Sequence, residues 1–366
     1  MATIAGSRRL RRTPFSDGVE AAGVKGYTVY NHMLLPTVFR SVVEDYHHLK
    51  SAVQVWDVAV ERQVEIRGPD AARLMQMLTP RNLDKMKDGM CYYVPMVDET
   101  GGMLNDPVAV KLADDRYWVS IADSDLLFWI KGLAYGLRLD VLVDEPDVSP
   151  LAIQGPKADE LAARVFGDAV RDVKFFRYGR FEFQGQQMLV ARSGYSKQGG
   201  FEVYVEGTQN GMPLWNALME AGKDLDVHAG CPNLIERIEG GLLSYGNDMN
   251  RDNTPHEAGL GRFCSTQDAI GCVGRDALLR VAKEGPVKQV RALRIEGALP
   301  PCDRGWPLMD GQQQVGTVTS AAWSPDYETN VAIGMVRMTH WDPKTDVDVV
   351  TQAGVFPAVV QETFWI

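Results

Sequence analysis

Val64-Glu65-Ile66-Arg67-Gly68-Pro69-Asp70-Ala71 and Leu151-Ala152-Ile153-Gln154-Gly155-Pro156-Lys157-Ala158 repeat one pattern within a single chain. In each, a short apolar strand meets Gly-Pro and an amphipathic helix follows, carried by Leu74, Met77 and Leu78 in the first copy and Leu161, Ala162 and Val165 in the second. Proline suits the first helical turn because its missing N–H would find no partner there anyway. The copies lie too far apart for a solenoid repeat, so the pattern predicts two related α+β units.

Working outward, each copy continues into β-hairpins. Asp106 to Leu112 and Tyr117 to Ile121 alternate with period two around a turn at Ala113-Asp114-Asp115-Arg116. The second copy continues through Phe181 to Phe183, Met188 to Ala191 and Phe201 to Val205. Helices are expected from Pro213 to Glu220, closed by Gly222, and from Leu234 to Leu242 with Asn233 as N-cap. Beyond Val287 the helical signal fades into Val290 to Ile295, Val315 to Thr319, Val331 to Val336 and Val347 to Val350, which read as strands of a small β-barrel. The expected domains are residues 1–145, 146–285 and 286–366, the first two with a boundary that can interleave.

A chain of 366 residues exceeds the size at which one core keeps growing, and 45% hydrophobic with 23% charged residues is the balance of a globular protein. The net charge of −10 argues against nucleic acid as a partner, since neutralising phosphates needs clustered cations. Arg8-Arg9-Leu10-Arg11-Arg12 is the one basic cluster; without an apolar run after it, it reads as a solvated N-terminal arm, and no stretch approaches a membrane span. Five scattered cysteines without Cys-x-x-Cys spacing imply reduced thiols and a cytoplasmic protein, with Cys91 a buried structural thiol.

The densest polar chemistry lies in Tyr93-Val94-Pro95-Met96-Val97-Asp98-Glu99-Thr100-Gly101-Gly102-Met103-Leu104-Asn105-Asp106. Gly101-Gly102 supplies the positive φ of a tight turn, so two strands fold back and bring a phenol near a carboxylate. An ordinary exposed hairpin fits the same letters. Arg192 to Glu202 again places an aromatic, Tyr195, and a carboxylate, Glu202, about a glycine turn; Glu236 to Asp248 carries Arg237 on a helix. A carboxylate can accept two parallel hydrogen bonds from an aminopyrimidine edge while aromatic rings cover its face, which would suit a pterin. Equally, Glu202 can face outward from its strand, and Arg237 can simply pair with Glu236 or Glu239.

Several chemistries find no motif: there is no Walker loop, no Gly-x-Gly-x-x-Gly and no Gly-x-Ser-x-Gly elbow. The six histidines show no metal-ligand spacing, so no metal is expected.

Tyr93 with Gly101 to Asp106, Ser193-Gly194-Tyr195 with Gly200-Phe201-Glu202, Arg237 to Gly240, Ala258 to Gly261, Gly274 to Leu278, and Val315 to Ser320 with Ser324-Pro325 occur in this order along the chain. This pattern resembles the folate-dependent aminomethyltransferases typified by the T-protein of glycine cleavage. The resemblance spans essentially the whole chain. It implies a three-domain α+β arrangement, two related folate-binding domains and a C-terminal β-barrel, with tetrahydrofolate as methyl-accepting cosubstrate. It further implies Asp106 as the catalytic aspartate and Tyr93, Asn105, Asp106, Tyr195, Glu202 and Arg237 as folate contacts. Three departures matter: Asn105 stands where T-proteins usually carry a first aspartate, and Asp57-Val58-Ala59-Val60-Glu61 replaces Asp-Val-Ser-His-Met. The C-terminal family arginine is also missing before Phe364-Trp365-Ile366.

Tyr27 to Thr37, Trp56-Asp57-Val58, Arg12 to Phe15 and Gly23 to Lys25 are similar instead to the dimethylsulfoniopropionate demethylase subgroup. That likeness implies a sulfonium substrate, for which Tyr30, Met33, Trp56 and Tyr195 are candidate contacts through cation–π and apolar packing, with Lys25 or Arg192 for the carboxylate. A glycine-cleavage aminomethyltransferase, a demethylase of an amine or methoxyaromatic acid, and a folate binder without turnover are the alternatives.

Overall fold

The computed structural model describes residues 7–265 and 270–366. They divide into two compact units, one of residues 7–71, 86–92 and 108–233, the other of residues 72–85, 93–107 and 234–366 outside the gap.

The duplicated pattern supplies two strands and one helix of the first unit, while the helix of its first copy, from Ala72 on, belongs to the second. Gln63–Arg67 and Val148–Gln154 are strands, and the helices Ala71–Leu78 and Ala158–Phe166 follow them after the Gly-Pro turns. In the second copy Leu161, Ala162 and Phe166 turn inward against Ile153, Phe201 and Leu214, as apolar residues at helical spacing must. The sheet beneath has six strands in the order Tyr178–Phe183, Gln186–Ala191, Gly200–Glu206, Val148–Gln154, Val53–Asp57 and Val227–Gly230. All pairs are antiparallel except the last, in which Val227–Gly230 runs parallel to Val53–Asp57. A five-stranded sheet runs in the order Leu142–Asp144, Gln63–Arg67, Arg116–Ser120, Val108–Ala113, Cys91–Tyr93. Cys91 is buried beside Val110, Trp118 and Tyr204, as a structural thiol would be, and all five cysteines are free.

Gly26–Tyr30 and Met33–Val38 form a separate antiparallel hairpin. Asn31 (φ 49°) and His32 (φ 63°) both adopt the left-handed conformation that a two-residue hairpin loop requires. The Asn31 amide secures the loop, donating to the Val60 carbonyl at 2.9 Å and accepting from the Ser124 N–H at 3.1 Å.

In the second unit the C-terminal strands close into a barrel of order Lys288–Ile295, Thr329–Arg337, Gln313–Ser324, Trp306–Asp310, Asp346–Thr351, Gly354–Val360. Two of these, Trp306–Asp310 and Gly354–Val360, were not expected from sequence, because Pro307 and Pro357 interrupt the alternation that marks a strand. The barrel interior is Leu293, Leu308, Val318, Val336 and Val349 among others. The helix expected to reach Leu242 stops at Glu239, because Gly240-Gly241 follows and Gly241 turns left-handed at φ 63°. No helix among the described residues is long and apolar enough to cross a membrane.

Candidate functional site

Tyr93 and Asp106 meet in the second unit. The hairpin between them pairs Met96–Val97 with Met103–Asn105. Its turn is not the Gly-Gly tight turn expected: Gly101 alone is left-handed, at φ 84°. Gly102 is needed for a different reason, since a β-carbon there would sit 2.3 Å from the Arg251 carbonyl oxygen. Asp98 closes the turn by accepting from the Thr100 and Gly102 N–H groups at 2.9 and 3.0 Å and from Arg251 Nε at 2.6 Å. Burial works against that carboxylate, but the hydrogen bonds from Thr100 and Arg251 hold its pKa below the usual range.

The Tyr93 hydroxyl donates to Asp106 Oδ2 at 2.7 Å. Phe263 meets the Tyr93 ring edge-on at a centroid distance of 5.3 Å, and Tyr245 donates to the Met103 carbonyl at 2.9 Å. Met103, Met249, Ala258 and Leu260 make the apolar base. Burial pushes the Asp106 carboxyl up to about 7, the Tyr93 hydrogen bond opposes the rise, and the charge of Asp248 adds to it. Asn105 is fully buried, and its side-chain oxygen accepts from the Asp106 N–H at 3.0 Å. Tyr245 and Phe263 were not singled out from sequence; both lie over 130 residues from Asp106, and no local pattern connects them to it.

Arg237 is held by partners far from it in sequence. Its guanidinium donates to Asp248 Oδ2 at 2.8 Å and to Ser320 Oγ at 2.6 Å, and Asp248 also accepts from Thr319 at 2.7 Å. With the arginine and aspartate side chains 9% and 0% exposed, this is a buried ion pair that ties the helix Leu234–Glu239 to the barrel.

In the first unit Glu202 faces inward, at 7% exposure, and accepts from Ser193 Oγ. Burial raises its pKa, opposed by the Ser193 bond. Tyr195 is half-buried on the Ser193–Gly200 loop. That loop lies flat on Gln154, whose amide donates to the Ser193 carbonyl at 3.1 Å and accepts from Ser196 at 2.7 Å. A β-carbon on Gly200 (φ 147°) would stand 2.0 Å from the Ile153 carbonyl oxygen. An exposed aromatic passed over in the sequence flanks the same segment. Phe175, 71% exposed, bridges to Arg192 and stacks edge-on with Phe176, whose φ of 55° is unusual for a bulky residue.

The expected substrate contacts fare unevenly. Trp56 is wholly buried against Leu49, Val58 and Ala152, with its indole N–H given to Gln54 at 2.8 Å, so it lines no accessible surface. Met33 is likewise buried, while Tyr30 is half-buried at the hairpin end. Arg192 is occupied, its fork donating to Asp159 at 2.9 and 3.1 Å and its Nε to the Val173 carbonyl, and it is no free carboxylate receptor. Lys25 reaches the Arg40 carbonyl at 2.7 Å.

One trio among the described residues, His48, Asp226 and His228, has ligand-type atoms within 4.8 Å of one another. The surrounding hydrogen bonds oppose metal binding there. The Trp56 N–H can only donate, which turns the Gln54 amide nitrogen toward His48 Nδ1 at 3.2 Å. The neutral His48 proton therefore sits on Nε2, where it is given to the Asp226 carbonyl at 2.8 Å. Ligation through Nε2 would break this chain of bonds.

Comparison with known proteins explains this architecture. The GCVT N-terminal domain matches residues 15–268, and the glycine cleavage T-protein C-terminal barrel domain matches residues 288–365. The chain belongs to the glycine cleavage T-protein family. Its fold is the α+β T-protein fold, shared with the glycine cleavage system aminomethyltransferase T from Bartonella henselae at a TM-score of 0.87, with 24% identity over 98% of both chains. Within the family it is 63% identical over 365 residues, 100% of both chains, to the dimethylsulfoniopropionate demethylase DmdA of Ruegeria pomeroyi. Its identity to an aminomethyltransferase of Symbiobacterium thermophilum is 29%, over 97% of this chain and 96% of that protein.

Proposed function

We propose that the chain transfers a methyl group from dimethylsulfoniopropionate to tetrahydrofolate, giving methylmercaptopropionate and 5-methyltetrahydrofolate, in the cytoplasm. The observation that carries this reading is the full-length 63% identity to a dimethylsulfoniopropionate demethylase, against 29% or less to the aminomethyltransferases compared. The free cysteines agree with a reducing compartment.

The chemistry asks little of the protein in covalent terms. A methyl on positive sulfur leaves a neutral thioether, so no general acid need protonate the leaving group. Tetrahydrofolate supplies the nucleophilic ring nitrogen, and that nitrogen loses its proton as the methyl arrives. The protein's share is alignment and electrostatics.

Asp106 fits this share. Its carboxylate is fixed by the Tyr93 hydroxyl at 2.7 Å, leaving its second oxygen to face positive charge developing on an amine nitrogen. A carboxyl that titrates at about 7 is poised to take up the released proton near neutrality. Tyr93, with Phe263 against its edge, offers an aromatic surface of the kind a pterin ring packs on. Asn105 orients the Asp106 backbone. Glu202, Tyr195 and Arg237 carry folate roles on the family resemblance, and Tyr30 and Tyr195 carry the sulfonium contact. Each is tested by its own substitution.

The test is to combine the purified protein anaerobically with tetrahydrofolate and dimethylsulfoniopropionate and assay both products. Formation of both supports the reading. If neither forms while dimethylglycine or a methoxybenzoate is consumed, the substrate assignment is wrong. Asp106→Ala should cut turnover sharply in a protein that still folds.

A further inference from the structure

A cavity of about 250 Å³ lies in the first unit, walled in part by the N-terminal arm. Asp57, 3% exposed, lines it. Its oxygens accept from Thr13 Oγ1 at 2.5 Å and from the Ala59 N–H at 3.2 Å, and no cation among the described residues pairs with it. Burial pushes this carboxyl up to about 6.

Tyr27 stands half-buried in the same wall, and its hydroxyl is pushed up chiefly by burial and further by the charges of Glu20 and Asp57, with Arg12 opposing. Arg12 is shared between Glu20 at 2.7 Å and Asp17 at 2.6 Å, both on the exposed surface, so its single charge offsets only one of them. Asp57 is the buried charge of this wall, and it has no cation partner among the described residues. Leu10 and Leu34 supply apolar wall, and Arg11, with only Nη1 engaged by Glu145 at 2.9 Å, adds an available guanidinium. The basic arm keeps its arginines exposed, as expected, while Leu10, Arg11 and Arg12 also form one side of this cavity.

These features select a ligand class. A hard metal ion needs several free oxygens, whereas both Asp57 oxygens hold donors. A diffuse onium cation needs no freed lone pair; it gains from a nearby carboxylate, an aromatic face and apolar walls together. The guanidinium then suits an anion on the same small molecule.

We propose that this cavity binds a small zwitterion with an onium cation and a carboxylate on a short alkyl chain, the cation toward Asp57 and Tyr27 and the carboxylate toward Arg11. The class includes the proposed substrate and its ammonium analogues, so occupancy would report substrate or osmolyte level through residues that take no part in methyl transfer. The site stands whether or not the demethylase reading does.

The test is calorimetric titration of the full chain, without folate, with glycine betaine, choline and propionate. Glycine betaine should bind more tightly than choline or propionate, each of which carries one of its two charged groups. Asp57→Asn should weaken glycine betaine about tenfold or more, and Arg11→Gln should weaken glycine betaine while sparing choline. Tyr27→Leu serves as a third variant away from the Thr13 bond; if Asp57→Asn fails to fold, Arg11→Gln and Tyr27→Leu decide. Glycine betaine affinity within twofold of the parent in every folded variant overturns the inference. So does binding that survives Asp57→Asn and is lost in Asp106→Ala, since it then belongs to the methyl-transfer residues.

Discussion

Asp106→Asn should make the protein more stable at pH 8, and the gain should vanish in acid. The substitution keeps the shape and the Tyr93 contact while removing a charge that burial disfavours. In the folded chain the carboxyl titrates at about 7 rather than at its ordinary 3.8. Below the lower value the group is protonated in both states and contributes nothing. Between the two values the folded state binds the extra proton, so rising pH erodes the parent's stability; above about 7 the full penalty stands. A rise of roughly 3 units at 1.36 kcal/mol per unit sets a ceiling of roughly 4 kcal/mol. Asp106 is only partly buried as a residue, and solvent screening reduces the expected effect to about 1 to 2 kcal/mol. Urea melts of both proteins from pH 4 to 8.5 measure it. A variant no more stable than the parent at pH 8, or a difference that does not change with pH, would refute the reasoning, because burial could then not be what raises this carboxyl.

Tyr93→Phe removes the hydrogen bond that favours the ionised form, so the Asp106 carboxyl should climb above 7 and the acid limb of the pH–rate profile should move to higher pH. An unmoved limb would uncouple Tyr93 from the titrating group. Arg237→Ala strands Asp248 in the interior without its cation and should cost about 3 to 5 kcal/mol by chemical denaturation; a loss under about 1 kcal/mol would show that the hydroxyls of Thr319 and Ser320 suffice. Gly102→Ala drives a methyl into the Arg251 carbonyl and should destabilise by about 1 to 3 kcal/mol in a thermal or urea melt. A neutral effect would mean that the Arg251 loop yields.

How much of this was legible in the sequence depends on the distance over which each feature is encoded. The two strand, Gly-Pro, helix copies were readable because apolar periodicity and a proline act locally, and the structure places both. Strands Trp306–Asp310 and Gly354–Val360 escaped because a closed barrel tolerates proline where the alternation rule does not. At the site, the Tyr93 and Asp106 contact was foreseeable from thirteen residues of separation and a hairpin between them. The contacts of Arg237 with Asp248 and Ser320 were not, since those residues lie 11 and 83 positions away and reach it through tertiary packing. Trp56 looked like a cage residue because an aromatic has the same letter in a cage and in a core; only burial separates the two. Arg11 and Arg12 are solvated as expected, but their ion pairs with Glu145, Glu20 and Asp17 escaped notice because those partners follow later in the chain.

The central claim is that one methyl moves from sulfonium sulfur to the folate ring nitrogen. Anaerobic single turnover with dimethylsulfoniopropionate carrying carbon-13 methyl groups, read by carbon-13 NMR, follows that methyl directly. The account predicts one labelled 5-methyltetrahydrofolate for each methylmercaptopropionate formed, with the yield collapsing in Asp106→Ala. Label that stays on dimethylsulfoniopropionate, or appears in any product other than the folate, would contradict it.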